Sequence, residues 1–240
     1  MNIVFLAAGK SSRIYKELGK PKCLLKINNH SIIKNLIKNL RGLKIKRINV
    51  VVGFKSEQIK KELKEFKKIS FIYNRYYNSR EMLYSLISAL KKIDDDIIFS
   101  YTDIIYNKSI IQKLLTKKKD IHLPILKNWK DVWKKRNKEI KLDAEDLKID
   151  KNSNLKSIGE KIYDLSKVKY QFMGILMINR ENRKKILSLY ELIKKNKKLH
   201  LTGFLNFIIK KKIKIKCTKY DGKWYEFDDI EDYSNYKKKP

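Results

Sequence analysis

The sequence predicts an α/β protein built on a mixed, mostly parallel sheet with helices on both faces. Three observations carry that reading. Apolar runs of strand length alternate with amphipathic helical stretches through the first half of the chain. The first run, "NIVFLAA", ends in small residues and feeds a turn containing Gly9. A later run, "DIIFSYTD", ends in an acid, Asp103. Ligands gather at the carboxyl ends of parallel strands, so Gly9 and Asp103 point to one rim.

The elements follow in order. "NIVFLAA" is a buried strand. "SIIKNLIKNLRG" has Ile32, Ile33, Leu36, Ile37 and Leu40 at helical spacing, with Ser31 at its start and Gly42 beyond its end. "KRINVVVG" is a second strand, and "SEQIKKELKEF" a helix with Ile59, Leu63 and Phe66 on one face. "ISFIYN", "EMLYSLISALKK" and "DIIFSY" continue as strand, helix and strand; "SIIQKLLTKK" and "DIHLPIL" add a helix and a strand. From 127 to 169 the rhythm breaks into a polar, charged stretch holding two of the three tryptophans. It reads as an inserted lid or acceptor-binding segment within one domain spanning 1–240. "YQFMGILMI" returns as an apolar strand, followed by helices "NRKKILSLYELIKK" and "LTGFLNFIIKK", strand "KIKIKCT" and the tail "KWYEFDDIEDYSNYKKK".

Bulk properties narrow the class. At 42% hydrophobic, 240 residues can bury a large core. No apolar run approaches the roughly 20 residues of a membrane helix, and "MNIVFLAAGKSSR" lacks the basic start of a secretory signal. Cys23 and Cys217 lie far apart without metal-type spacing and read as reduced thiols, so a cytoplasmic location is expected. His30, His122 and His200 show no zinc spacing and read as structural. The 58 Lys plus Arg against 26 Asp plus Glu give +32, a field that attracts polyanions. The excess runs from Lys10 to Lys239 with no single basic tail, so a solvated basic surface is preferred over dedicated nucleic-acid binding.

The stretch "LAAGKSSRIYKELGKPKCLLKI" contains Gly-Lys-Ser yet is no P-loop, because the position five before Gly9 is Val4, inside the strand. It is no dinucleotide fingerprint either, having one glycine where three are needed. What remains is a turn of small residues, Ala7, Ala8 and Gly9 after Leu6, that lets a base or ribose approach the backbone. A polar loop of Lys10, Ser11 and Ser12 follows, whose amides can cradle phosphate. Arg13 supplies a forked cation, and Lys22, aimed by Pro21, a point charge.

"LAAGKSSR…GKPKCLL" resembles the signature of the nucleotidyltransferase superfamily that makes nucleoside-diphosphate sugars and related headgroups. The resemblance implies a Rossmann-like fold, a nucleotide held at Leu6, Ala7, Ala8, Gly9, Lys10, Ser11 and Ser85, and catalysis by Arg13 and Lys22. It also implies Mg²⁺ held by one acid after the fourth strand, Asp103, and one in the tail, where "WYEFDD" resembles Trp-x-Glu-Ile-Asp with Phe227 in place of Ile. By position Asp228 is the ligand, Glu226 lies behind it and Asp229 caps the next helix. Ser11 and Ser12 depart from the pattern, occupying a stretch that often carries a second glycine. Arg80-Glu81 in "YNRYYNSREMLYSL" departs likewise.

The second half resembles the branch of phosphocholine and phosphonate cytidylyltransferases. That implies transfer of CMP from CTP to a small amine-bearing phosphate or phosphonate, of phosphocholine or 2-aminoethylphosphonate type. Trp129, Trp133, Asp143, Glu145 and Gln171, with Tyr170, become candidates for the acceptor's ammonium. Trp129 and Trp133 serve equally well as anchors pinning the inserted segment to the sheet. A hexose-1-phosphate nucleotidyltransferase, and a basic nucleic-acid binder on a degenerate fold of this kind, are the other readings. A homo-oligomer stays open.

Overall fold

The computed structural model describes residues 1–117, 119–136 and 144–237, with the side chain of Lys135 left aside. Strand β1 (Asn2–Ala7) is buried along its whole length. Ile3, Phe5 and Ala7 enter one core, and Val4, Leu6 and Ala8 the other, as the two-residue repeat of a strand between two helical layers requires.

The polar loop after Gly9 is short, giving way at Ser12 to a helix, α1 (Ser12–Leu18), anchored by buried Ile14 and closed by left-handed Gly19. Arg13 therefore stands in its first turn. A hairpin, β2 (Lys26–Ile27) to β3 (His30–Ser31), turns through Asn28 and Asn29, both at positive φ, the conformation asparagine tolerates in tight two-residue hairpins. Helix α2 (Ile32–Asn39) starts where expected, with the Ser31 hydroxyl accepting the Lys34 amide at 3.3 Å.

Strand β4 (Arg47–Val52), α3 (Ser56–Glu62), β5 (Ile69–Tyr73), α4 (Met82–Lys92) and β6 (Ile97–Tyr101) complete the alternating half. Strand β7 (Ile104–Tyr106), α5 (Ser109–Leu115) and β8 (Ile121–Leu126) follow. The segment after 127 is less excursive than its polarity suggests. It holds α6 (Trp129–Arg136) and an antiparallel pair, β9 (Asp146–Ile149) and β10 (Leu155–Glu160). Asn206 fastens that pair to the body, exchanging bonds with the Ile158 amide at 3.0 Å and carbonyl at 2.6 Å.

The apolar run "YQFMGILMI" forms β11 (Gln171–Phe172) and β12 (Ile175–Ile178), separated by Gly174 at φ 70°. Helices α7 (Arg180–Ile193) and α8 (Leu201–Lys210), then β13 (Ile215–Tyr220), β14 (Trp224–Glu226) and α9 (Ile230–Lys237), end the described chain. The main sheet runs β11-β8-β12-β6-β1-β4-β5, with β13 on β8. Strands β1, β4, β5 and β6 run parallel, as do β8 and β13, while β11 and β12 pair antiparallel with their neighbours. Among the described residues no helix is long and apolar enough to cross a membrane.

Candidate active site

At the carboxyl ends of β1 and β5 lies a cavity of about 510 Å³. Leu6, Ala8, Gly9, Lys10, Ser12, Asn74 and Ser85 contribute to its wall. Strand alternation turns Ala7 the other way, into the core. Ser85 is buried and accepts the Asn74 amide at 2.9 Å, while Asn74 Oδ1 accepts the Tyr76 amide, so the wall is a closed polar network. A Cβ built on Gly9 would meet nothing within 4 Å, and its φ is not positive. The glycine is thus not demanded by the turn and leaves open space beside the backbone. The left-handed residue is Ser11, at φ 54°, in the stretch where a second glycine was expected. Its hydroxyl accepts the Lys22 amide at 3.1 Å and joins the loop to the Pro21-Lys22 bend.

Lys22 is the centre of the charged cluster. Its ammonium donates to Asp103 at 3.2 Å and to Asp228 at 3.0 Å, the second partner 206 residues away. Asp103 stands in the bend between β6 and β7, and its carbonyl accepts the Phe227 amide at 2.8 Å. Strand β14 pairs with β7, setting Glu226 opposite Ile104. These contacts carry Glu226 and Asp228 to Asp103. Asp229 caps α9, accepting the Asp232 amide at 3.0 Å, as expected.

The acids strain against their surroundings. Burial raises the Asp103 pKa against the pull of Lys22, and nearby Asp228 raises it further. Glu226 is held well above the ordinary carboxylate range by burial, then by Asp228 and Asp103. For Lys22, burial works against the charge, but Asp103, Asp228 and Glu226 outweigh it, and its pKa rises.

Asp103 Oδ1 is buried with no hydrogen-bond partner among the described residues. Among the described residues, Lys22 and Arg136 face four carboxylates, Asp103, Glu226, Asp228 and Asp232. Among the described residues no three acidic, His or Cys side chains form a metal cluster. Asp103 and Asp228 supply the one or two carboxylates that Mg²⁺ takes alongside substrate phosphates, so the residues fit the ion.

Other candidates fall elsewhere. Arg13 is exposed in the first turn of α1 and has no side-chain partner among the described residues. Trp129 and Trp133 are 1% and 3% exposed, so neither presents a face to an acceptor. Trp133 stacks on Trp224 at 5.6 Å and carries the Arg136 guanidinium 4.9 Å from its ring centre. The cation on this indole is the chain's own, and the pair sits in the core as the anchoring alternative has it. Gln171 is buried and spends its amide on the Glu145 backbone, accepting the amide at 3.0 Å and donating to the carbonyl at 2.6 Å. Glu145 itself is exposed, and the Tyr101 phenol is held above its ordinary pKa by burial, then by Asp103, Glu226 and Glu145. Tyr170 is half-buried, with Lys219 over its ring at 5.6 Å. Asp143 lies outside the described residues. Cys23 is a free thiol, its pKa pushed up to about 12 chiefly by burial, which suits a core residue rather than a nucleophile.

Sequence reasoning missed Arg136, Asp232 and Tyr101. Arg136 is hidden in the charged run "WKKR", and Asp232 reads as a solvated or capping acid; both are 0% exposed. Tyr101, two residues before Asp103, meets Phe172 edge-on at 6.0 Å.

Residues 3–128 match the family described as the MobA-like NTP transferase domain. The chain is 29% identical to the CTP:phosphoglutamine cytidylyltransferase of Campylobacter jejuni over 247 aligned positions, covering 97% of each. Its fold superposes on the inositol-1-phosphate CTP transferase from T. maritima with a TM-score of 0.78, over 99% of this chain and 95% of that one, at 18% identity. The CTP:phosphocholine cytidylyltransferase from Streptococcus pneumoniae gives 0.77, over 99% and 97%, at 19%. At those two identities the likeness is one of fold.

Proposed function

The chain belongs to the MobA-like NTP transferase domain family, and from that premise we propose that it moves CMP from CTP onto a small amine-bearing phosphate or phosphonate, releasing pyrophosphate. The observation that carries the reading is Lys22 bridging Asp103 and Asp228 through the loop that also walls the cavity. The amine-bearing acceptor, of phosphocholine or 2-aminoethylphosphonate type, draws support from Glu145, an exposed acid whose backbone is held by buried Gln171. The full-length likeness to an enzyme whose name specifies CTP and phosphoglutamine is compatible with it.

The nucleotide enters with its base or ribose against Ala8 and Gly9 and its phosphates toward Lys10, Ser12 and Arg13. An acceptor oxygen forms a bond to the α-phosphorus, and the α–β anhydride bond breaks as pyrophosphate leaves with the electron pair. The acceptor's phosphate is already anionic near neutral pH, so no general base is needed. Held by Asp103 and Asp228, Mg²⁺ would supply charge neutralisation at the phosphates. Lys22 and Arg13 add positive charge where negative charge grows, Lys22 fixed in place by its two acids.

A pyrophosphate-release screen crossing four NTPs with phosphocholine, phosphoethanolamine, 2-aminoethylphosphonate, a phosphorylated amino acid and glucose-1-phosphate tests this. Release with CTP and an amine-bearing acceptor is expected. Release with the sugar phosphate alone, or with no pair at all, would overturn it.

A further inference from the structure

We propose that Arg136, acting through Asp232, is a positioning residue of the metal centre, holding Asp228 in the pose in which it receives a divalent cation. The inference rests on Asp103 and Asp228 being the metal-holding acids. Arg136 and Asp232 are both 0% exposed and joined by a fork, Nε to Oδ1 at 2.9 Å and Nη2 to Oδ2 at 3.1 Å. The same Asp232 Oδ2 accepts the Asp228 backbone amide at 2.8 Å. Arg136 Nη2 also reaches Asp228 Oδ2 at 3.5 Å, and Nη1 lies 3.5 Å from Glu226. Backbone and side chain of Asp228 are thereby gripped by one buried pair.

The arginine is gripped in turn. Its guanidinium lies over Trp133, which stacks on Trp224, whose indole N–H donates to the Met173 carbonyl at 3.0 Å. From the other side, Asn235 donates to the Arg136 carbonyl at 3.0 Å. A buried ion pair is a poor way to add stability, since apolar residues of similar volume often do as well or better. What an apolar pair cannot do is accept the Asp228 amide and lie against its carboxylate. Groups that orient metal ligands in this manner typically change metal affinity 10–100-fold when removed.

The test is Mn²⁺ binding to the intact protein, read from the electron paramagnetic resonance of free Mn²⁺, with and without a non-hydrolysable CTP analogue. Arg136→Met combined with Asp232→Leu removes one charge of each sign, so the net charge of the cluster is unchanged. The double variant is expected to bind Mn²⁺ about 10–100-fold more weakly, and to recover turnover at raised Mg²⁺ with little change in kcat. Arg136→Lys keeps the charge without the fork and is expected to fall with it; Asp232→Asn leaves one acceptor oxygen where the Arg136 fork and the Asp228 amide use two, and should do the same. The two single variants carry the comparison if the double variant fails to fold. Wild-type Mn²⁺ affinity in a folded double variant, or full recovery by lysine, would remove Arg136 from this role while leaving the metal site. No Mn²⁺ binding by the wild type under either condition would instead remove Asp103 and Asp228 as its metal-holding acids, and this inference with them.

Discussion

Asp103→Asn separates chemistry from folding, because the two are expected to move in opposite directions. The substitution keeps the shape of a side chain that is 17% exposed and deletes its charge. A unit charge about 4 Å from an opposite one contributes about 4 kcal/mol at an effective dielectric of about 20. With Asp103 as a proposed holder of Mg²⁺, its loss should lower kcat by about a thousandfold even at saturating Mg²⁺. Stability runs the other way. The fold raises the Asp103 pKa above 3.8, so it favours the neutral form, and ionisation costs stability as pH rises through the folded value. At neutral pH the asparagine variant should therefore unfold no earlier than wild type, since Lys22 keeps Asp228 as a partner at 3.0 Å. Its advantage should shrink as pH falls toward 3.8, where the native acid is neutral in both states. Pyrophosphate release and thermal unfolding across pH read the two effects separately. Undiminished turnover, or an advantage that grows toward acid pH, would refute the reasoning.

Three further outcomes are expected. Lys22→Ala should lower turnover by about a thousandfold on the same electrostatic grounds, and Mg²⁺ should raise the Tm of the variant more than that of wild type, because the ammonium that lies between Asp103 and Asp228 is then gone. Glu145→Gln should raise the acceptor KM and leave the CTP KM unchanged in steady-state assays, if the ammonium is recognised by this exposed acid. Gly174→Ala places a Cβ 2.9 Å from the Tyr101 ring at a φ of 70°. Left-handed strain and overpacking together should cost about 3 kcal/mol in denaturant unfolding.

The alternating half of the chain was open to reading because each of its elements states its own period. Strand β1 is apolar throughout since both its faces are covered, and Ile32, Ile33, Leu36 and Ile37 mark the buried side of α2. Lys22, Asp103 and Asp228 could be nominated from short motifs, since each follows a recognisable turn or strand. The region after 127 resisted for a physical reason. Its polarity suggested exposure, yet Arg136 is buried because Asp232, 96 residues later, neutralises it. In a chain with 58 basic residues nothing local distinguishes that arginine from its solvated neighbours. The tryptophans left two readings open for a similar reason: an aromatic pair beside acids suits a ligand cation or an internal one, and the fold places Arg136 over Trp133.

The early lysine and its late aspartate partner impose an order on the protein's life. While the chain is being made, the loop after β1 and the acid after β6 can be in place long before the second acid arrives. Until that last strand docks, the half-built molecule would have the proposed nucleotide cradle but only one of the two acids proposed to hold the ion. On the proposed reading, competence to spend a nucleotide should therefore appear late and abruptly during synthesis.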